Sequence, residues 1–266
     1  MNIVSASRRT DIPAFYAQWF MDGLKRGAIE FIHPYSGQRL NVSLKPNDVI
    51  AFVFWSKNFC GFIDHLEWIR KDYACVFHYT INEYPLEIEG NIPLLTRRLD
   101  SFKKISDMFS PDNIIWRYDP ILLTKNFNMD YHLAKFTEIS GILKGYTKKC
   151  YTSFVQLYGK NKVILRNSGV DENESQNTIK LDLISKLKGI CESNTMELLN
   201  CCYPLLKEAG VPSGSCIDKK LIEKITGLNL KEIKKAPTRK SCGCYKSIDI
   251  GTYSTCKGKC LYCYAR

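Results

Sequence analysis

The sequence predicts an α/β protein built on parallel strands, and three observations predict it. Short apolar runs recur along the 266 residues, segments with helical apolar spacing lie between them, and nearly every run breaks into a polar cluster at its C-terminal side. Parallel strands are buried on both faces and so read as near-continuous apolar runs, and their alternation with helices marks repeating βα units. The runs are Asn2–Ala6, Val49–Trp55, Cys75–Tyr79, Asn113–Trp116, Thr152–Leu157 and Glu197–Asn200. About six parallel strands are therefore expected, in a sheet either open or closed into a barrel.

Between the strands the helical spacing is explicit. A helix is expected over Pro13–Arg26, with Asp11 as N-cap and Gly27 just past its end. A hairpin around Ser36-Gly37 interrupts the first repeat. Leu95, Leu99, Phe102, Ile105 and Phe109 keep helical spacing, as do Met129, Leu133, Phe136 and Leu143, and then Leu183, Leu187 and Ile190. After Cys191 the character changes. Cys201-Cys202 and Cys216 precede a short helix near Asp218–Thr226, a basic connector from Lys231 to Lys240, Cys242-Gly-Cys244, and a strand around Ser247–Tyr253. Residues 1–200 read as the (β/α) core, and 201–266 as a cysteine-rich segment that completes it.

Hydrophobic residues make up 45% of the chain and charged residues 24%, the balance of an ordinary globular protein. The longest apolar run is about seven residues, against the ~20 that a membrane span requires. The first residues lack the basic and apolar regions of a signal peptide, so a cytoplasmic location is expected. In such a reducing compartment twelve cysteines read as metal ligands or small buried hydrophobes rather than disulfides. Cys60, Cys75, Cys150 and Cys191 are scattered and suit the core. The net charge of +11 admits nucleic acid as a partner, but the lysines are spread with no dense block, so it does not favour one.

The strand exits carry the candidate chemistry. They are Ser7-Arg8-Arg9-Thr10-Asp11, Ser56-Lys57-Asn58, Thr80-Ile-Asn82-Glu83-Tyr84, Arg117-Tyr118-Asp119-Pro120 and Gln156-Leu-Tyr158-Gly-Lys160. Active sites of parallel α/β folds gather at this edge. Helix caps account for Thr10, Asp11 and Asn58. They account less well for a cation at three exits, Arg8, Lys57 and Arg117, which could grip a carboxylate, a ribose or a phosphate. Arg117 and Asp119 read as pocket residues or as an ion pair at a strand end. His33, His65, His78 and His132 stand alone and read as surface or core residues.

Cys256-Lys-Gly-Lys-Cys260-Leu-Tyr262-Cys263 has CxxxCxxC spacing. Structural zinc and ordinary iron–sulfur clusters take four protein ligands, so three thiolates leave a metal position open for substrate or cofactor. Soft thiolates select zinc, copper(I) or iron–sulfur clusters. The competing reading is a zinc site completed by Cys244, in a structural or nucleic-acid-binding module. Cys201 or Cys202, with Cys216, Cys242 and Cys244, would supply four further thiolates, enough for an auxiliary [4Fe–4S] cluster or zinc.

The CxxxCxxC loop, with Tyr262 before its third cysteine, resembles the motif of the radical S-adenosylmethionine (SAM) superfamily, and Cys260-Leu-Tyr262-Cys263-Tyr264 is similar to spore photoproduct lyase. A second resemblance covers nearly the whole chain. Ser7-Arg8-Arg9-Thr10-Asp11-Ile12-Pro13, Trp116-Arg117-Tyr118-Asp119-Pro120, Cys242-Gly-Cys244 and Asp249-Ile-Gly251-Thr-Tyr253-Ser-Thr255-Cys256 look like an uncharacterised bacterial family with a C-terminal cysteine string. Lys257-Gly-Lys259 departs from the residues expected there. The superfamily resemblance implies a [4Fe–4S] cluster on Cys256, Cys260 and Cys263, SAM at the open iron, and a 5′-deoxyadenosyl radical formed with an electron from a flavodoxin or ferredoxin. It places Tyr262 near the adenine; Ser7, Arg8 and Arg117 are expected to bind cofactor, and Arg8, Lys57, Arg117 and Asp119 to serve the reaction. It also implies a partial barrel in circularly permuted order, with the last strand acting as the superfamily's first and Asn2–Ala6 as the next.

Overall fold

A computed structural model describes residues 1–34, 36–157, 161–167 and 177–265. Its centre is a seven-stranded parallel sheet. In chain order the strands are β1 (Asn2–Ala6), β4 (Val49–Ser56), β5 (Cys75–Thr80), β6 (Ile114–Ile121), β7 (Lys149–Phe154), β8 (Glu197–Asn200) and β9 (Ile248–Asp249). In space they run β8-β7-β6-β5-β4-β1-β9. β2 (Ala28–Ile32) and β3 (Arg39–Ser43) form the expected hairpin as a separate antiparallel pair. The helices are α1 (Ile12–Phe15), α2 (Ala17–Arg26), α3 (Ile63–Ile69), α4 (Leu95–Met108), α5 (Met129–Leu143), α6 (Asn161–Asn167), α7 (Asn177–Ser193) and α8 (Lys219–Thr226).

The apolar runs are continuous because both faces of the sheet are covered. Val4, Ala6, Phe52, Phe54, Phe77, Tyr79, Trp116 and Tyr118 belong to one buried core with the long helices. Their strand neighbours Ile3, Ala51, Val53, Val76, Ile115, Tyr151 and Leu199 point the other way. There they pack with Ile217, Leu221, Ile222, Leu230 and Cys244, so α8 and the cysteine-rich segment cover the second face. Cys75, Cys150 and Cys191 fill the first core as expected, whereas Cys60 is only partly buried. His78 and His132 are fully buried.

Several boundaries differ from the sequence expectation. There are seven parallel strands rather than six, because the Ser247–Tyr253 segment adds one. That strand shrinks to Ile248–Asp249, since only β1 flanks it and the Arg9 guanidinium takes the carbonyls of Asp249 and Gly251. The Pro13–Arg26 helix divides at Tyr16, which leaves helical geometry. Asp11 does cap α1, accepting from the Ala14 N–H at 3.0 Å, and Gly27 ends α2 with φ +75°. β6 continues past Trp116 because Arg117 and Tyr118 pair with Tyr151 and Thr152 of β7. Arg117 is thus inside a strand, not at its exit. Tyr158 and Lys160 lie outside the described residues. No helix among the described residues is long and apolar enough to cross a membrane.

Candidate functional site

One cavity collects most of the strand exits. Its wall includes Ser7, Arg8, Thr10 and Asp11 after β1, Lys57 and Asn58 after β4, Arg117 and Asp119 of β6, and Cys256, Cys260, Tyr262 and Cys263 of the cysteine loop. Apolar side chains of Phe15, Trp55, Ile92, Phe154 and Val155 complete it. β9 lies beside β1 in the sheet, which is why the loop following β9 reaches the Ser7–Asp11 segment.

The cysteine loop is tied down on both sides. Asn91 Nδ2 donates to the Lys257 carbonyl at 2.7 Å, the Leu261 N–H to the Ile88 carbonyl at 3.0 Å, and the Tyr16 hydroxyl to the Thr255 carbonyl at 2.6 Å. The Cys260 thiol donates to the Gly258 carbonyl at 3.8 Å, and the Ala265 N–H donates to the Cys263 thiol at 3.4 Å. Burial pushes the Cys260 thiol up to about 12, against the pull of the nearby Lys57 cation. Burial also raises Cys256. Cys256 and Cys260 therefore keep their protons until a positive centre replaces them.

Arg8, Lys57 and Arg117 each already have a carboxylate. Arg8 Nε lies 3.4 Å from Asp249, and its guanidinium stands over the Trp55 ring. Lys57 Nζ lies 2.9 Å from Glu89, which also accepts from the Tyr262 hydroxyl. Arg117 pairs with Asp119, and Asp119 accepts in turn from Ser153. Asp11 accepts from the Lys57 N–H at 3.0 Å, and desolvation raises its carboxyl to about 6. Sequence reasoning missed Glu89 and Asp249 as partners. Glu89 sits in a loop with no spacing signal. Asp249 stands in a motif string, where nothing local shows that Ser5, Ser7 and Arg8 reach it.

Arg117 faces sulfur as well as Asp119. Its Nη2 donates to Cys201 Sγ at 3.0 Å and its Nη1 to Cys216 Sγ at 3.3 Å. His78 donates from Nε2 to the Cys216 carbonyl at 2.8 Å, which leaves Nδ1 to accept from Arg117 at 3.4 Å. Burial first, and then the Arg117 charge, lower His78 to about 3. Cys201 and Cys216 line the same cavity, and Cys242 and Cys244 belong with them to the cluster on the sheet's second face.

Among the described residues, no group of three or more His, Cys, Asp or Glu side chains stands in metal-holding array. Two features nevertheless suit the Cys256–Cys263 loop to a cluster. The Gly258 Cα faces both thiols, since a Cβ there would stand 3.4 Å from Cys256 Sγ and 3.8 Å from Cys260 Sγ, so the loop turns two of its three sulfurs towards the same space. The buried Thr10 hydroxyl in the cavity wall has no hydrogen-bond partner, the mark of a polar group meant for something else.

Fold and site together define an α/β protein with a thiol-lined cavity at the C-terminal edge of a parallel sheet. The chain belongs to the family described as a domain of unknown function, DUF1848, which matches residues 3–265. No curated protein matches it.

Proposed function

We propose that this chain is a radical SAM enzyme on a partial, circularly permuted (β/α) barrel, with Cys256, Cys260 and Cys263 as the ligands of a [4Fe–4S] cluster. The observation that carries the reading is the meeting, in one cavity, of a three-thiol loop with the Ser7–Asp11, Lys57 and Arg117–Asp119 segments. When bound, such a cluster with SAM at its open iron supplies one-electron cleavage of the sulfonium to a 5′-deoxyadenosyl radical.

The chain's own residues bind, orient and exclude. Lys57 gives one of its three ammonium donors to Glu89 and suits a SAM carboxylate with the others. Tyr262, anchored on Glu89 beneath the Lys57 ammonium, offers a fixed aromatic wall to the adenine. Thr10 offers its hydroxyl to a ribose or amino group. Phe15, Trp55, Ile92 and Phe154 keep water from the reacting centre. A flavodoxin or ferredoxin provides the electron.

The test is anaerobic reconstitution with iron and sulfide, then incubation with dithionite and SAM and assay for 5′-deoxyadenosine. Formation that disappears in Cys260→Ala supports the reading. An iron-loaded protein that leaves SAM intact, or a colourless zinc protein, overturns it.

A further inference from the structure

Five more thiols gather on the second face of the sheet. Cys201 Sγ lies 3.7 Å from Cys216 Sγ. Cys202, Cys216 and Cys242 pack against the buried cluster that holds Cys201 and Cys244, and the Cys244 N–H donates to Cys242 Sγ at 3.4 Å. They arrive from three separate stretches of chain: the exit of β8, the loop before α8 and the loop before β9. Cys202, Cys216 and Cys242 are only partly buried, unlike the core fillers Cys75, Cys150 and Cys191.

We propose that Cys201, Cys216, Cys242 and Cys244 form a mononuclear thiolate site for a soft divalent ion of the zinc class, set in the wall of the same cavity. Three observations carry it. Donors are aimed at each of these four sulfurs. Arg117 reaches Cys201 and Cys216, the Ile217 N–H reaches Cys244 at 3.4 Å, and the Cys244 N–H and Thr238 hydroxyl reach Cys242 at 3.4 and 3.6 Å. A neutral thiol is a weak acceptor, so such a set of donors suits thiolates. Next, the Cys201–Cys216 spacing of 3.7 Å is that of one tetrahedral edge. A metal–sulfur bond of ~2.3 Å gives an edge of ~3.8 Å. A [4Fe–4S] cube attaches each thiolate to a different iron and holds the sulfurs farther apart. Finally, the local charge is right. Four thiols closing on one divalent ion release four protons and leave a doubly negative centre. The Arg117 guanidinium lies against it, and Arg239 Nη2 stands 4.0 Å from Cys201 Sγ. The four sulfurs do not stand in a metal-holding array in this structure; the ion would draw them to one centre and leave Cys202 beside it.

This site shares no ligand with the Cys256–Cys263 loop, so the two readings stand or fall separately. The chain carrying Cys256→Ala, Cys260→Ala and Cys263→Ala is titrated anaerobically with cobalt(II) and, in parallel, with zinc. One ion per chain, with the visible bands of tetrahedral tetrathiolate cobalt, is the expected result. In that background Cys216→Ser or Cys244→Ser removes the bands, and Cys202→Ser keeps them. The proposal is overturned if the parent triple variant takes up neither ion, if it builds an iron–sulfur chromophore in preference to zinc, or if the bands survive Cys216→Ser combined with Cys244→Ser. Circular dichroism identifies any variant that fails to fold. The titration of the parent triple variant then decides without it.

Discussion

The Ser7 hydroxyl donates to Asp249 at 2.6 Å across 242 residues of sequence. Asp249 also accepts from the Ser5 hydroxyl at 2.9 Å and the Arg8 N–H at 3.0 Å. One buried carboxylate thus clamps the exit of β1 to β9 and sets the approach of the cysteine loop. Asp249→Ala strands several buried donors at once, each costing about 1–3 kcal/mol. A loss of about 3 kcal/mol or more is expected from urea unfolding, with Asp249→Asn milder. An Asp249→Ala chain within 1 kcal/mol of wild type would contradict the clamp.

Gly251 makes the same junction possible. A Cβ there would sit 1.9 Å from Ser7 Oγ and 2.6 Å from Ser7 Cβ, so the backbone has to move. Gly251→Ala is expected to cost about 1–3 kcal/mol. Ser7→Ala in the same chain should relieve it only in part, because the contact with the Ser7 Cβ remains. Full recovery in the double variant would assign the clash to the hydroxyl alone.

Lys57 is the cation placed best to receive a carboxylate, and Glu89 holds it. Lys57→Met removes a charge-assisted bond worth about 1.5–3 kcal/mol, so SAM affinity of the reconstituted protein should fall at least about tenfold. Lys57→Arg keeps the charge and should retain part of it. Equilibrium binding of SAM measures both, and unchanged affinity in Lys57→Met removes Lys57 from the cofactor site.

His132 sets an acid limit on stability far from the cavity. Its Nε2–H donates to the Leu122 carbonyl at 2.9 Å, and Nδ1 accepts from the Tyr118 hydroxyl at 2.8 Å. Burial lowers its pKa from 6.5 to about 4. Between those values the unfolded chain takes up a proton that the native chain refuses. Stability is therefore fully present above pH 6.5 and falls as the pH drops towards 4, by on the order of 3 kcal/mol. His132→Gln should flatten that limb of a stability–pH curve; an unaltered slope would show that other groups govern it.

The sheet was largely legible because burial on both faces leaves a one-dimensional trace, an unbroken apolar run. β1 and β8 match their runs from end to end. β6 was read too short, since Arg117, Asp119 and Pro120 look like a loop when the pairing of Arg117, Tyr118 and Ile121 with β7 is unseen. The cysteine loop was legible from spacing alone. Its partners were not: Glu89 and Asp249 act over 173 and 242 residues of separation, and no local pattern encodes such meetings. Arg117 was legible as a cation of the cavity wall, where it does lie, but its two sulfur contacts depend on where β8 and the Cys216 loop lie in space.

The two-residue ladder between β1 and β9 has a kinetic meaning as well. Its contacts span up to 244 residues, among the most distant in sequence of this fold, whereas β4 to β8 follow one another through local βα units. Contacts that distant carry the largest loop-closure entropy and form late. The strand bearing the Cys256–Cys263 loop thus joins a sheet already assembled. Until β9 docks, the Cys256–Cys263 loop is carried on a tether away from the sheet, and its docking closes the cavity wall.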